Sequence, residues 1–340
     1  MIREMGWFVR MLVALVSWAR LSRSSGAGKG RMRQRALALS AGLLLVAIGM
    51  GAYTRYFRPA PSFIDAPVVP DNNAALPQSV EFEQLAKSDP VEMLHQCLVR
   101  YQREVKGFRG VLEKQECIKG KFSLREVIAL SVRGDVPDPT TGKTRIEVLM
   151  KWQVGGQAVL GSEVKGTLYV EEKGGNKDSI ITWRPTAPFR KEHAIDVNGP
   201  SAREASRYCI RDAGLYRGTL RTYEVWKQRK EEGILATEYL GRKPIEQAGG
   251  VECHIVKRIC RSPEVDAFEL GGTPDMSPET VAREGFAELT IMIDAKRWLQ
   301  VGTELRRANG ELIGAYYFRD IELNPAFPGE TFTKDGLLKK

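Results

Sequence analysis

The stretch RIEVLMKWQV, residues 145–154, decides the fold of this 340-residue chain. Apolar side chains occupy every second position of it, with mostly polar residues between them. The apolar set is Ile146, Val148, Met150, Trp152 and Val154. Because successive side chains of a β-strand point to opposite faces, this period of two predicts a strand with one buried and one solvated face. A sheet built from such strands needs a cover on its apolar side.

Similar patterns surround this stretch. Val164, Leu168 and Val170 continue the alternation, and Asn309-Gly310 is a strong signal for a two-residue hairpin turn between two strands. About ten strands are predicted in all. Besides 145–154 and 164–170 they are 108–118, 124–133, 179–183, 236–240, 251–259, 288–294, 299–307 and 312–323. Many antiparallel strands with few helices indicate an α+β domain with a large, curved, one-sided sheet.

Two helical regions are predicted to accompany this sheet. The first begins at Asp89, which is followed by Pro90 at the first helical position and by Glu92 at the position that completes a capping box. Its apolar residues then recur at helical spacing as far as Val105, so we expect it to cover the sheet. The second region is 201–232.

A different kind of segment lies near the N-terminus. Residues 36–54, ALALSAGLLLVAIGMGAYT, carry no charge, and a helix of that length is about 28 Å long, close to the apolar thickness of a bilayer. Six basic residues lie between positions 20 and 35, against two just after the span, which favours a cytoplasmic N-terminus. The sequence thus predicts a single-pass anchor in the inner (cytoplasmic) membrane with an extracytoplasmic, periplasmic domain. A cleaved signal peptide is the alternative.

The chain is accordingly divided into four parts: a basic cytoplasmic tail (1–35), a transmembrane helix (36–54), a Pro-rich linker (55–88) and the α+β domain (89–334). The formal net charge of +9 belongs to residues 1–59, which hold ten basic residues and one acidic residue, so the remainder is neutral. We therefore predict no nucleic-acid partner. Met32 starts a second basic-then-apolar segment and is an alternative initiation site.

The sequence predicts no catalytic or metal-binding residues and no cofactor. The motifs of common hydrolases, zinc proteases and dinucleotide-binding proteins are absent. Cys253 lies on one face of its strand and His254 and Cys260 on the other, so one ion could not use all three. Asp294, at the end of an apolar strand, is interpreted as a turn residue. Cys97 with Cys117 is the pairing considered if a disulfide forms.

The C-terminal sequence resembles a known superfamily. ELTIMIDAKRWLQVGTELRRANGELIGAYYFRDIELNPAFPGETF, residues 288–332, resembles the closing strands of outer-membrane lipoprotein carriers (LolA-like proteins), in its Ile293-Asp294, Asn309-Gly310, Tyr316–Phe318, Asn324 and Phe332. FRGVLEKQECIKGKF, VLMKWQV, GTLYVEEKG and RYCIRDAGL look like an uncharacterised family of exported bacterial proteins with that fold. The resemblance implies an incomplete β-barrel whose apolar hollow is covered by helices and, in carriers, takes acyl chains.

This resemblance and the alternation together give a functional hypothesis. The predicted ligand-binding residues share an apolar sheet face: Ile146, Val148, Met150, Trp152, Val164, Leu168 and Val170. The alternative is that this face is ordinary core. We expect a non-enzymatic, membrane-anchored envelope protein that binds a lipid or a lipoprotein acyl chain. Two alternatives stay open: an envelope sensor or assembly factor that binds a protein partner, and a hydrolase with an unrecognised site.

Overall fold

The structure is a computed structural model, and it describes residues 76–339 with short internal gaps. The gaps are 137, 139–144, 157, 160–161, 172–178, 188–190, 198 and 266–276. The helices are α1 Ser79–Ser88, α2 Pro90–Glu104, α3 Pro200–Ala205, α4 Leu215–Glu231, α5 Pro278–Glu284 and α6 Lys334–Leu338. The strands are β1 Gly107–Ile118, β2 Lys121–Phe122, β3 Glu126–Arg133, β4 Glu147–Val154, β5 Ala158–Val159, β6 Ser162–Glu163, β7 Gly166–Val170, β8 Ser179–Trp183, β9 Glu192–Asp196, β10 Ala236–Ile245, β11 Val251–Glu264, β12 Phe286–Asp294, β13 Gln300–Arg306 and β14 Leu312–Leu323.

The described strands form one large antiparallel sheet of 12 strands, which confirms the α+β prediction. Its order is β10-β11-β12-β13-β14-β1-β3-β4-β7-β8-β9, with β2 paired to β1 and a separate β5-β6 pair. The sheet is open, since β10 and β9 are its two edges and do not pair with each other. The closing β14 strand lies beside β1, so the two ends of the domain meet at the centre of the sheet.

The hairpin between β13 and β14 forms at the predicted place with a longer turn. Gly310 N–H donates to the Arg307 carbonyl over 2.9 Å, so Ala308 and Asn309 occupy the central positions of the turn. Gly310 follows at φ 84°, a left-handed conformation that glycine adopts without steric cost. The turn is thus one residue longer than the two-residue hairpin that Asn-Gly predicts.

Helix α2 begins where its capping signal predicts. The Asp89 side chain accepts a hydrogen bond from the Glu92 N–H, and Pro90 is the first helical residue. The preceding segment differs from the prediction, because the last ten residues of the predicted 55–88 linker are helix α1. Its Phe82 is buried and stacks on Trp298 with ring centroids 4.2 Å apart. The sequence signal for a linker was the proline content, which ends at Pro77, before α1 starts.

The helices cover one face of the sheet, and the C-terminal tail covers part of the other. Phe82 and Leu94 pack with Val256 and Ile291 on the helix side of the sheet. On the opposite side, the buried Leu337 of α6 packs with residues of β4 and β7 in a separate apolar cluster. The strands at that end of the sheet are therefore buried on both faces.

No helix within the described residues is long and apolar enough to cross a membrane. The predicted tail (1–35) and span (36–54), together with most of the predicted linker, lie outside the described part of the chain. The anchor therefore stays a prediction from the sequence.

The N-terminal end of α4 is fixed by a buried carboxyl group. Asp135, which is fully buried, accepts a hydrogen bond from the Tyr101 hydroxyl of α2 over 3.1 Å. A backbone N–H of α4 and the charge of Arg217 also act on it, but burial outweighs these contacts and raises the pKa of Asp135 to about 6.

Replacing Phe82 tests whether α1 belongs to the domain. We expect Phe82→Ala to lower the free energy of unfolding by about 3–5 kcal/mol, because it removes a fully buried aromatic ring and leaves a cavity. Val80→Ala is the matched control on the same helix, where the side chain is exposed and the expected change is below about 0.5 kcal/mol. Urea unfolding of the two variants measures this, and equal midpoints would show that α1 is not part of the cooperative unit.

Asp135→Asn should change the pH dependence of stability. An acid whose pKa is raised in the folded state contributes stability that is present below its unfolded pKa and lost as the pH rises through the folded value. With a pKa of about 6 in place of 3.8, the wild type should lose about 3 kcal/mol from this group between about pH 3.5 and pH 6.5. The variant, neutral throughout, should lack this loss. Urea unfolding at both ends of that range tests it, with the exposed Asp320→Asn as a control that should follow the wild type.

Candidate ligand-binding cavity

A cavity of about 570 Å³ lies between the helix-covered face of the sheet and the segment from α3 to α4. Its walls include residues of β11 near one edge of the sheet and of β9 at the other, so the sheet curves around it. The wall is more apolar than polar. Apolar side chains that line it include Leu112, Ile128, Met150, Trp152, Ile180 and Phe318.

Strand pairing explains why these side chains meet on one face. Leu112 of β1 pairs with Ile128 of β3 and with Phe318 of β14, and Ile128 pairs with Trp152 of β4. Directly paired residues of antiparallel strands lie on the same side of a sheet, so one row of large apolar side chains runs across four strands. This row is the floor of the cavity.

Helix α4 forms much of the roof, and the residues that it presents to the space below include the small Gly218 and Thr222. Gly218, Thr222, Val225 and Arg229 line the cavity at helical spacing. A Cβ atom added to Gly218 would meet nothing within 4 Å. The roof therefore does not fill the hollow that the sheet encloses.

Met150, Trp152 and Val164, three of the seven residues predicted to bind the ligand, line the cavity. Ile146 and Val148 are fully buried in the core next to it, where Val148 pairs with Val132 and Tyr169. Their shared face is thus as expected, and their role as ligand contacts stays a prediction.

Leu168 and Val170 do not share that face, contrary to the prediction. Val148 pairs with Tyr169, so Tyr169 is on the cavity side of β7 and its neighbours Leu168 and Val170 are on the other side. There they pack with Phe332 and Leu337 of the C-terminal tail. The prediction was wrong because β7 is apolar on both faces, and alternation alone cannot orient such a strand.

The alternation in β4 also ends before the quoted stretch does. The register shifts between the Val127–Val154 pair and the Ile128–Trp152 pair, so one residue of β4 is left unpaired. Val154 is consequently turned to the other face, where its side chain is exposed. A bulge of this kind is not visible in the sequence pattern.

Three charged residues meet in the middle of the apolar floor. The Lys114 ammonium lies 2.8 Å from Glu116 and 3.1 Å from Glu126, and Lys114 and Glu126 line the cavity. The Trp152 indole N–H donates to Glu126 over 3.0 Å. Glu116, which is almost fully buried, also accepts a hydrogen bond from the Tyr316 hydroxyl over 2.7 Å.

The same carboxylate attaches the segment between α3 and α4 to the sheet. Ser206 Oγ donates to Glu116 over 3.2 Å, and the Arg207 backbone N–H donates over 3.3 Å. The Arg207 guanidinium donates to the Cys117 carbonyl over 2.9 Å. One side wall of the cavity is therefore held by the polar end of β1.

Electrostatics keep this cluster ionised in spite of its burial. Burial acts to lower the pKa of Lys114, but the two carboxylates outweigh it and the net shift is upward. Burial acts to raise the pKa of Glu116, but the charge and hydrogen bond of Lys114, with the Tyr316 hydroxyl, outweigh it and the net shift is downward. The cluster is a fully bonded ionic group, which limits its use as an acid or base.

Two arginines lie at the β11 side of the cavity. Arg258 of β11 and Arg229 of α4 both approach Glu264 Oε2, at 2.6 Å and 3.4 Å, and all three residues line the cavity. His193 of β9 and Arg184 line the opposite side. None of these residues is among those predicted from the sequence, where Arg258 directly follows Lys257 and reads as part of a charged pair.

The residues that the sequence analysis rejected as sites are structural. Asp294 Oδ1 accepts hydrogen bonds from the backbone N–H groups of Lys296 and Arg297, which confirms its role in a turn. Cys253 packs in one apolar cluster and Cys260 in another, so their opposite orientations are confirmed. All five cysteines, which lie within the described residues, are free, so Cys97 and Cys117 do not form the disulfide considered above.

Replacing Lys114 tests the ionic cluster. Lys114→Met should lower the free energy of unfolding by about 3–5 kcal/mol, because it leaves Glu116 buried without its counter-ion. Lys119→Met is the control: its ion pair with Glu204 is exposed and should contribute less than about 1 kcal/mol. Urea unfolding at pH 7 distinguishes the two, and a Lys114→Met variant as stable as the control would contradict the role assigned to the cluster.

Several solved structures are similar to this chain at low sequence identity. A DUF1329 family protein from Desulfovibrio piger is 12% identical, with a TM-score of 0.35, and the match covers 74% of this chain and all of that one. A LolA superfamily protein from Nitrosomonas europaea is 9% identical (TM-score 0.29; 72% and 99% covered). LprF from Mycobacterium bovis is 12% identical (TM-score 0.37; 72% and 98% covered). These TM-scores are low, so the fold described above rests on the chain's own topology.

The sequence comparisons give the family. No curated protein matches the chain. Residues 105–336 match the model of the family described as "Protein of unknown function (DUF1571)". The matched range begins just before β1 and ends within α6, so it contains the whole described sheet and the cavity. The prediction that the chain resembles an uncharacterised family is confirmed, and the chain belongs to the DUF1571 family.

Proposed function

We propose that this protein is a membrane-tethered, non-enzymatic component of the cell envelope whose cavity binds the acyl chain of a lipid or lipoprotein. The observation that supports this most directly is the unfilled cavity of about 570 Å³ between the sheet and α4. Protein interiors are close-packed, and spaces of this size are rare in them unless a ligand occupies the space. The volume falls in the range typical of small-molecule sites.

The walls of the cavity favour an apolar ligand. The row from Phe318 through Leu112 and Ile128 to Trp152 offers a continuous apolar surface across four strands. Transfer of a methylene chain from water to such a surface is favourable by about 0.8 kcal/mol per CH₂ group. A linear acyl chain can lie along the row, because its only requirement is apolar contact.

The polar groups of the cavity floor support binding over catalysis. Lys114 is ion-paired with both Glu116 and Glu126, and the Tyr316 and Ser206 hydroxyls donate to Glu116. A catalytic nucleophile or base has to be available to the substrate. Hydroxyl groups bonded to a carboxylate that is already ion-paired are poorly placed for that role.

The membrane anchor is the part of the proposal that depends on the sequence alone. An anchor at 36–54 with its basic flank in the cytoplasm would place the domain outside the inner membrane, where lipids and lipoproteins are exchanged. Protease added to intact spheroplasts should digest the domain. Digestion only after permeabilisation would contradict this orientation.

Gly218→Phe should block the cavity without disturbing its walls. The new ring would enter the open space below α4, because no atom lies within 4 Å of the Cβ position. We expect the full-length protein, kept soluble in an amphipathic polymer, to lose at least about tenfold in affinity for a fluorescent fatty acid, since the ligand would compete with the ring for the same space.

Gly218→Ala is the matched control. A single methyl group leaves the cavity open and favours the helix, so this variant should bind like the wild type and be more stable by up to about 1 kcal/mol. Equal binding by all three proteins would place the probe elsewhere. Absence of binding by the wild type, with no lipid co-purifying in native mass spectrometry, would favour the alternative that the domain binds a protein partner.

A further inference from the structure

Arg258 is buried at a place where an apolar residue would be expected. It lies in the middle of β11 and its exposed fraction is 2%. Its neighbours on the same face include the apolar Val256 of β11 and Leu289 of β12, and the third, Thr237 of β10, is uncharged. Burying a guanidinium group is costly unless its N–H groups find acceptors. Packing alone therefore does not explain why an arginine occupies this position.

The acceptors that the described residues provide are too few for the donors. Glu264 Oε2 is shared by the Nη2 atoms of Arg258 and Arg229, and the second partner of Arg229, Glu232, lies at the exposed end of α4. Nη1 of Arg258 and Nε of Arg229 have no hydrogen-bond partner within the described part of the chain. One buried carboxylate thus serves two guanidinium groups.

A third donor adds to this excess. Trp226 lies one helical turn before Arg229, lines the same cavity and is fully buried, and its indole N–H has no partner among the described residues. Buried donors are almost always hydrogen-bonded in native proteins. Three unsatisfied donors around one end of an apolar cavity are the pattern expected when the missing acceptor is supplied by a ligand.

We propose that Arg258, Arg229 and Trp226 form a subsite for the anionic head of an acyl ligand, a carboxylate or a phosphate. This inference rests on the proposed function, since the acyl chain would occupy the apolar floor. Guanidinium groups suit both anions, because their N–H groups match the spacing of two oxygens. The subsite also gives the ligand a direction, with the head at β11 and the chain extending toward β1 and β4.

The contrast with the Lys114 cluster supports this assignment. Lys114 lies between two carboxylates that are otherwise well bonded, so its charge is already balanced. The arginine end has one buried carboxylate for two cations, so an anion can bind there with a net electrostatic gain. Of these two clusters, the arginine end is thus the one that selects an anionic head.

The test compares ligands that differ in the head alone. Full-length protein in an amphipathic polymer is titrated by calorimetry with oleate, oleyl alcohol, lysophosphatidic acid and lysophosphatidylcholine. The wild type should bind oleate more tightly than oleyl alcohol, or lysophosphatidic acid more tightly than lysophosphatidylcholine, by about ten- to a hundredfold, the effect of one or two charge-assisted hydrogen bonds. The pair that shows the preference identifies a carboxylate or a phosphate as the head.

Two variants test whether the preference for anionic ligands depends on the arginine end of the cavity. Arg229→Met, Arg258→Met and Glu264→Met, combined in one variant, remove both cations together with the carboxylate that they share, so no buried charge is left uncompensated, and this triple variant should bind the neutral and anionic ligands equally. Lys257→Met is the matched control, because Lys257 pairs with Glu238 on the opposite face of the same strand, and the preference should persist in it. Circular dichroism and urea unfolding verify that both variants fold.

The outcomes separate this inference from the proposed function. Equal binding of neutral and anionic ligands by the wild type, or a preference that persists in the triple variant, would overturn the head-group subsite while leaving acyl binding intact. Absence of binding for all four ligands would overturn both. A preference that disappears in the triple variant and persists in Lys257→Met would support the subsite.

Discussion

The domain depends on covering one face of a very wide sheet. Eleven strands in series, spaced about 4.8 Å apart, make a face of about 48 Å, whereas a helix with its side chains covers about 10 Å. Helices α1 and α2 cover the β11–β14 side through Phe82 and Leu94. Helix α4 presents Gly218, which has no side chain, and Thr222, whose hydroxyl accepts a hydrogen bond from Gln300 of β13 over 3.1 Å, and these small residues leave the space beneath the helix unfilled. The cavity is a direct result of this mismatch.

The covered face also determines which charges the domain can tolerate. Lys114 and Glu116 follow Leu112 at intervals of two, so strand geometry puts all three on the same side. Glu126 of β3 gives Lys114 a second ion pair, and the hydroxyl groups of Tyr316 and Ser206 donate to Glu116. Through Ser206, the Glu116 carboxylate also holds the chain between α3 and α4. A charged cluster inside an apolar hollow thereby becomes part of the wall that encloses the hollow.

Much of this fold can be predicted from local patterns. The strand from 145 onward, the helix that starts at Asp89 and the hairpin near Gly310 follow from periodicity, capping and turn chemistry, which act over a few residues. The shared face of Met150 and Trp152 follows from the same alternation. Helix α1 was missed, because prolines that end at Pro77 gave the whole segment the composition of a linker.

The parts that the sequence could not reveal depend on contacts between distant residues. Leu168 and Val170 face the C-terminal tail, and no local pattern in β7 indicates that Leu337 and Phe332 will cover them. The excess of donors around Arg258 cannot be seen in the sequence either. It depends on Arg258 sharing Glu264 with Arg229, which lies on α4, 35 positions before Glu264 in the chain.

The Lys114 cluster and the arginine end of the cavity are built on the same covered face but differ in how completely they are bonded. The floor cluster is closed: each of its charges has a partner of opposite sign on a neighbouring strand or on the same strand. The arginine end is open, since its donors outnumber the acceptors that the described residues provide. A buried guanidinium with an unused N–H reduces stability, and a chain can retain it where a bound group recovers the loss. If contacts between the acyl chain and the apolar row provide the binding energy, the arginine end determines that lipids with an anionic head bind in preference to neutral ones.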